Sequence, residues 1–338
     1  MPMWTDDTVL PGYQYLILEL DSPVLAAGEP EDTVVTAGLV RRNPPRHRRA
    51  LLYLHGWSDY FFQTWMADWF DSQGFDFHAL ELRRYGRGLR EGQLGGYTTD
   101  LEEYFEEIDL AVDLLRADHD SVTMAAHSTG GLVASLWADA RPGVLNGLIL
   151  NSPWVDFQGS PLLRAATTMV AKNLGRDVVR AARPIPLPDS NTYVRSIHSS
   201  FDGEWDFDLA LKRHPSFGVR PGWLSAIAAG HERIRAGLHI DTPVLSMMSA
   251  RSDFKRRWHE GHMRADTVLD VERLARRCVQ LGPNVTIVRI EDGLHDLMLS
   301  RADVREVVFE AMERWMTGWL PDRVGTHWGA ERPAEVTR

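Results

Sequence analysis

Cysteine is nearly missing from this chain of 338 residues. Cys278 is the only one, so no internal disulfide can form and nothing implies an oxidising compartment. Long apolar runs are also missing. No stretch approaches the ~18 uninterrupted apolar residues that a membrane span needs, so no transmembrane segment is expected. Residues 1–7 are polar and acidic, without the basic and apolar regions of a secretion signal. Positive charge is in deficit, with 37 Lys and Arg against 47 Asp and Glu and a net charge of -10. That balance argues against nucleic acid as a partner, because the phosphate backbone selects for basic patches. Together these traits suit a cytoplasmic protein. Internal repeats and low-complexity tracts are not evident.

The chain is 44% hydrophobic and long enough for one large core carrying an insertion. Its 12 tryptophans favour a hydrophobic cavity. Short apolar runs bounded by turn residues recur at 13–20, 33–40, 50–54, 75–80, 122–126, 147–151, 243–248 and 285–290. Such runs suit strands, the first two as an antiparallel pair and the rest buried on both faces of a parallel sheet. Helical patterns alternate with them near 61–72, 101–115, 132–140, 268–281 and 303–319. The second opens on Thr99-Asp100-Leu101-Glu102, which has the form of a capping box. The alternation predicts a doubly wound, mostly parallel, eight-stranded α/β sheet.

The pattern breaks between Trp154 and Leu238, where prolines gather and helix-like pieces sit at 162–173 and 223–236. Roughly 80 residues exceed any ordinary loop. We expect a core of residues 1–153 and 239–320, a helical cap at 154–238 and a polar tail at 321–338.

Within this frame, the run Ala126-His127-Ser128-Thr129-Gly130-Gly131 joins an expected strand to an expected helix. A serine on such a turn stands clear of its sheet, and the first N–H groups of the helix face its hydroxyl. A hydroxyl needs a base to become a nucleophile. His295 lies just after the last strand, in a loop opening at the same sheet edge as Ser128. The base needs a carboxylate, and two follow the 243–248 strand: Asp253 in a turn, and Asp266 before a helix. The alternative for Asp266 is a helix cap, and for Asp253 a turn residue. An oxyanion would be held by the backbone N–H groups of Thr129 and of Trp57, in the loop His55-Gly56-Trp57. Trp154 and Trp223 are candidates for an acyl pocket, with ordinary cap core as the equal alternative. His259-Glu260-Gly261-His262 has the wrong spacing for a His-Glu-x-x-His metal motif, and no third ligand is evident. The basic stretch 41–49 reads as a solvated turn.

These segments together resemble the α/β-hydrolase superfamily, within it the monoglyceride lipase, lysophospholipase and serine aminopeptidase S33-like group. The resemblance rests on Leu54-His55-Gly56-Trp57, on the Ser128 run and on Gly293-Leu294-His295-Asp296. Glu81-Leu82-Arg83-Arg84-Tyr85-Gly86-Arg87-Gly88 is similar to the family's D-x-R-G-x-G segment, with Glu81 for Asp and Arg84 for Gly. Ala126 stands where the elbow usually has Gly. In the family the acid precedes a run like D-x-V-V-P, which Asp266-Thr267-Val268-Leu269 fits best. A gapless alignment would instead put Ser252 or Asp253 there. The resemblance implies hydrolysis of small lipophilic esters, such as monoacylglycerols or lysophospholipids, through an acyl-serine intermediate. It implies no metal and no organic cofactor. Aminopeptidase, amidase, thioesterase, C–C bond hydrolase and non-catalytic binding roles share the fold. The expected partner is a small-molecule ester, and the chain could act as a monomer or a homodimer.

Overall fold

The computed structural model describes residues 3–21, 23–42, 44–157, 177–185 and 191–320. The expected cap helix at 162–173 and the tail at 321–338 lie outside them.

The apolar runs form one sheet. Its strands are β1 (Thr5–Asp6), β2 (Gln14–Glu19), β3 (Thr36–Arg41), β4 (Arg49–Leu54), β5 (Phe75–Glu81), β6 (Ser121–His127), β7 (Gly147–Asn151), β8 (Val244–Ser249) and β9 (Val285–Ile290). Their order is β1-β2-β3-β5-β4-β6-β7-β8-β9. Among the described residues the sheet therefore has nine strands rather than eight. The extra one is the two-residue edge strand β1, too short to leave an apolar signature. Strands β1 to β3 pair antiparallel, as does β3 with β5, and β5 through β9 run parallel. Strands β5, β7 and β8 are buried at every position, which is why β7 and β8 read as mostly apolar runs, while β5 also buries Asp76, His78 and Glu81.

Helices cover both faces. On one lie α2 (Phe105–Asp118), α3 (Thr129–Ala140) and the helix Pro221–Ala236, packed around Leu52, Leu54, Met124, Leu132 and Trp137. On the other lie α1 (Thr64–Ser72) and the helix Ala302–Trp319, packed around Leu51, Phe70, Phe77, Leu245 and Met312. The helix α2 begins differently from the capping-box reading. Asp100, not Thr99, caps the chain, accepting the Glu102 N–H at 3.0 Å, and a 3-10 turn over Leu101–Tyr104 precedes the α-helix.

Strand β4 is followed in sequence by β5 on one side and borders β6 on the other, so the strand order reverses there. The crevice beyond the carboxyl ends of β4 and β6 is where α/β sheets present ligand sites. The loop starting at His55 and the turn at Ser128 both open there.

Candidate active site

Ser128 joins β6 to α3 with φ 51° and ψ -115°. A non-glycine residue at positive φ is strained by ~1–3 kcal/mol, so the surroundings must enforce it. They do so through backbone bonds. The Ser128 N–H donates to the Asn151 carbonyl at 3.0 Å, and its carbonyl accepts from Leu132 and Trp154. The small residues beside it answer to packing. A Cβ on Gly130 would sit 2.3 Å from the His55 carbonyl oxygen, and one on Gly131 2.7 Å from Pro153 Cβ. Ala126 lies inside β6, paired with Leu54 and Leu150, where a methyl fits the extended backbone.

Three side chains from distant parts of the chain form a relay. His295 Nε2 lies 3.0 Å from Ser128 Oγ, and His295 Nδ1 lies 2.9 Å from Asp266 Oδ2. Asp266 is fully buried, and its Oδ1 accepts the Val268 and Leu269 N–H groups, each at 2.7 Å. Those bonds orient the second oxygen toward the imidazole. Asp266 reaches the site because residues 251–253 pair with it. Ser252 and Asp266 form an isolated parallel bridge, and the Asp253 N–H donates to the Asp266 carbonyl. The stretch between them loops out from the end of β8.

Asp253 points elsewhere. Its carboxylate lies 3.2 Å from His259 Nε2 and 3.6 Å from His262 Nε2. The third group that the sequence did not reveal beside His259 and His262 is thus Asp253. The donor set does not suit a metal. His259 Nδ1 accepts the Gly261 N–H, and His262 Nδ1 accepts the His259 N–H. With Nδ1 accepting, a neutral ring keeps its proton on Nε2, the atom that would have to ligate. Asp296 is also occupied away from His295, accepting from Asn151 Nδ2 at 2.7 Å and the Met298 N–H at 3.0 Å.

The loop after β4 supplies the second wall. His55 Nδ1–H donates to the Gly56 carbonyl and its Nε2 accepts the Leu82 N–H, so the ring is held neutral; burial pushes it down to about 4. A Cβ at Gly56 would lie 2.8 Å from His127 Nδ1 and 3.3 Å from Ser128 Cβ, so glycine is what lets this loop approach the turn. Among the described residues the Trp57 N–H has no backbone partner. The Thr129 N–H is at the first turn of α3, where no intrahelical acceptor exists. The segment at 81–88 braces this loop: Glu81 accepts the Phe61 and Arg87 N–H groups, and Arg83 pairs with buried Glu107. The basic stretch at 41–49 is tied down by Asp68, Asp71 and Asp120.

A cavity of about 230 Å³ opens on Ser128 and His295, lined by Trp57, Tyr193, Ile197, Phe207 and Val268 among others. Trp154 and Trp223 do not line it. Trp223 stands one layer behind, its ring 3.9 Å from that of Trp57 and 5.8 Å from that of Trp154. These two indoles are packing groups beside the wall rather than the wall itself. Sequence reasoning missed Asp59 and Lys212, both on the cavity. Lys212 Nζ lies 2.7 Å from Asp59 Oδ2, with both side chains buried. Asp59 is held well below the usual carboxylate range: burial opposes its charge, but the Lys212 ammonium, together with His127 and His55, outweighs that.

A sheet reversed at β4, with a serine turn, a histidine loop and a buried carboxylate meeting at its carboxyl edge, defines an α/β-hydrolase. The comparisons narrow this. Residues 45–254 match the sequence model of the family described as serine aminopeptidase, S33, and the chain belongs to that family of hydrolases. Phospholipase YtpA of Bacillus subtilis strain 168 is 30% identical over 110 residues. That match spans 32% of this chain and only 41% of the relative. Among solved structures, the monoacylglycerol lipase of Paleococcus ferrophilus superposes with a TM-score of 0.62 at 18% identity, over 85% of this chain and 99% of that one. A soluble variant of monoglyceride lipase from Saccharomyces cerevisiae gives 0.60 at 16% identity, over 88% and 97%. At those identities the likeness shows the fold. Among the described residues no helix is long and apolar enough to cross a membrane.

Proposed function

We propose that the chain is a serine carboxylic-ester hydrolase. The observation that carries this is the relay Ser128 Oγ to His295 Nε2 at 3.0 Å, continued from Nδ1 to Asp266 Oδ2 at 2.9 Å. In this reading neutral His295 takes the Ser128 proton as Oγ adds to the substrate carbonyl carbon. The Trp57 and Thr129 N–H groups receive the oxyanion, at ~2.7–4 kcal/mol of transition-state stabilisation each. His295 then protonates the departing alcohol, leaving an acyl-serine. Water attacks next, giving up a proton to His295, which returns it to Ser128 Oγ as the acid leaves. Asp266 holds the Nδ1–H tautomer throughout.

The cavity volume supports small substrates. At about 230 Å³ it falls below the ~300–1,000 Å³ usual for sites that take drug-sized ligands, so short acyl chains fit best. Recognition of an amine, as in an aminopeptidase, would need a free carboxylate on the cavity. Asp59 is the carboxylate there among the described residues, and Lys212 already neutralises it. That favours an ester over a peptide amine. The test is turnover of a p-nitrophenyl ester series by wild type and Ser128→Ala. Short-chain esters are expected to be cleaved and the variant to be inert; equal turnover by both refutes the assignment.

A further inference from the structure

Part of the cavity lining is a short segment that carries two adjacent cations. Lys212, Arg213 and His214 follow one another there and all three line the cavity. The segment is fixed to the loop after β4 at three points. The Asp208 N–H donates to Tyr60 Oη at 3.0 Å, Lys212 pairs with Asp59, and the Phe217 N–H donates to Ser58 Oγ at 3.3 Å. Arg213 is therefore carried on an anchored stretch. Its guanidinium lies 5.7 Å from the Phe217 ring, which in turn packs edge-on against Trp57.

Asp59 and Lys212 cancel each other. Arg213 has no carboxylate partner among the described residues, so the described lining of the cavity carries a net positive charge in a chain whose net charge is -10. Lys212 also keeps donor capacity: an ammonium has three N–H groups, and one carboxylate oxygen is its partner here. Two cations on one wall of a small cavity form a receptor for an anion that is part of the substrate.

We propose that Arg213, aided by Lys212, recognises a carboxylate on the substrate, and that the enzyme acts on carboxylate-bearing esters. This rests on the ester-hydrolase reading above. It goes further by naming what the second end of the substrate carries. The Arg213 fork donates two parallel N–H bonds to a carboxylate. Losing them is worth about 10- to 100-fold in specificity.

The experiment compares four esters matched in length: p-nitrophenyl hexanoate, the p-nitrophenyl hemiester of adipic acid, a hexanoate ester of a carboxyphenol, and a hexanoate ester of a phosphorylated phenol. Wild type is expected to favour one of the two carboxylate esters over the neutral one by at least about tenfold in kcat/KM, with added salt eroding the preference. In Arg213→Gln the kcat/KM ratio of the favoured carboxylate ester to the neutral ester should fall to about one, and Arg213→Lys should recover part of it. Arg213 is exposed and, among the described residues, makes a ring contact with Phe217 and no ion pair, so the fold should tolerate both changes. Three outcomes overturn the proposal: preference for the neutral ester, preference for the phosphate ester, or an equal loss on all four in Arg213→Gln. Failure of wild type on every ester, with Ser128 unreactive to a fluorophosphonate, overturns the hydrolase reading itself. Cleavage of the neutral ester alone overturns only the anion receptor.

Discussion

Replacing Asp266 by Asn should disable the enzyme without unfolding it, for a reason visible in its hydrogen bonds. Asp266 Oδ1 accepts two backbone N–H groups, from Val268 and Leu269, at 2.7 Å each. An Asn at this position has one oxygen to offer. Turning its amide NH2 toward those two donors would forfeit both bonds in a fully buried site, at ~1–3 kcal/mol for each unsatisfied group. The carbonyl oxygen therefore stays on the backbone pair and the NH2 faces His295. Nδ1 must then accept, the ring proton moves to Nε2, and Nε2 points a hydrogen at Ser128 Oγ instead of a lone pair. A wrong tautomer of this kind costs about 10⁴-fold in kcat, or ~5 kcal/mol. The assay is kcat and KM on a short p-nitrophenyl ester, with the melting temperature as a folding control. Asp253→Asn is the matched comparison and should stay within about twofold, since Asp253 faces His259 and His262. Retention of more than a tenth of wild-type kcat by Asp266→Asn refutes the reasoning, as does an equal loss in Asp253→Asn.

Three further outcomes follow from the same geometry. Gly56→Ala places a methyl against His127 and Ser128 and should shift the loop enough to cost about 10²-fold in kcat, with KM much less affected; an unchanged kcat means the loop has no part in the chemistry. Lys212→Met leaves Asp59 charged and buried without its partner and should cost ~3–5 kcal/mol in denaturant unfolding, while adding Asp59→Asn should restore most of it. Simple addition of the two losses would contradict a coupled pair. Burial lowers His55 and His231 to about 4 and His78 to about 3. Between those values and the ordinary ~6.5, the unfolded chain binds protons that the folded one refuses. Stability should be complete above pH ~6.5 and fall toward pH ~4 at up to ~1.4 kcal/mol per pH unit for each ring; a melting temperature flat across that window contradicts their neutrality.

What could be read in the sequence was local. Strands β4 to β8 announced themselves because burial leaves them largely apolar, and β9, half-buried at the sheet edge, through its β-branched residues, whereas β1 is two exposed residues that borrow their pairing from β2. Ser128 and the loop at Trp57 were legible because small residues must crowd next to them, and glycine at 56, 130 and 131 records that crowding. The choice between Asp253 and Asp266 was only partly legible: the fit to the family's run favoured Asp266, while a gapless alignment favoured Asp253. It depends on the bridge between Ser252 and Asp266, which folds the intervening stretch away and which no short motif encodes. Asp59 and Lys212 meet across 153 positions, so neither residue's neighbours hint at the other. Trp154 and Trp223 were sensible pocket candidates by residue type, but only packing reveals that Trp57 stands between Trp223 and the cavity.

The central claim is that Ser128 is the nucleophile, and active-site labelling reads it most directly. Treating the protein with a fluorophosphonate should add one phosphonyl group, found by peptide mass mapping on the peptide containing Ser128, with ester hydrolysis lost in step. Ser128→Ala should take up no label. Labelling at another residue, or hydrolysis that survives complete modification of Ser128, would contradict the account.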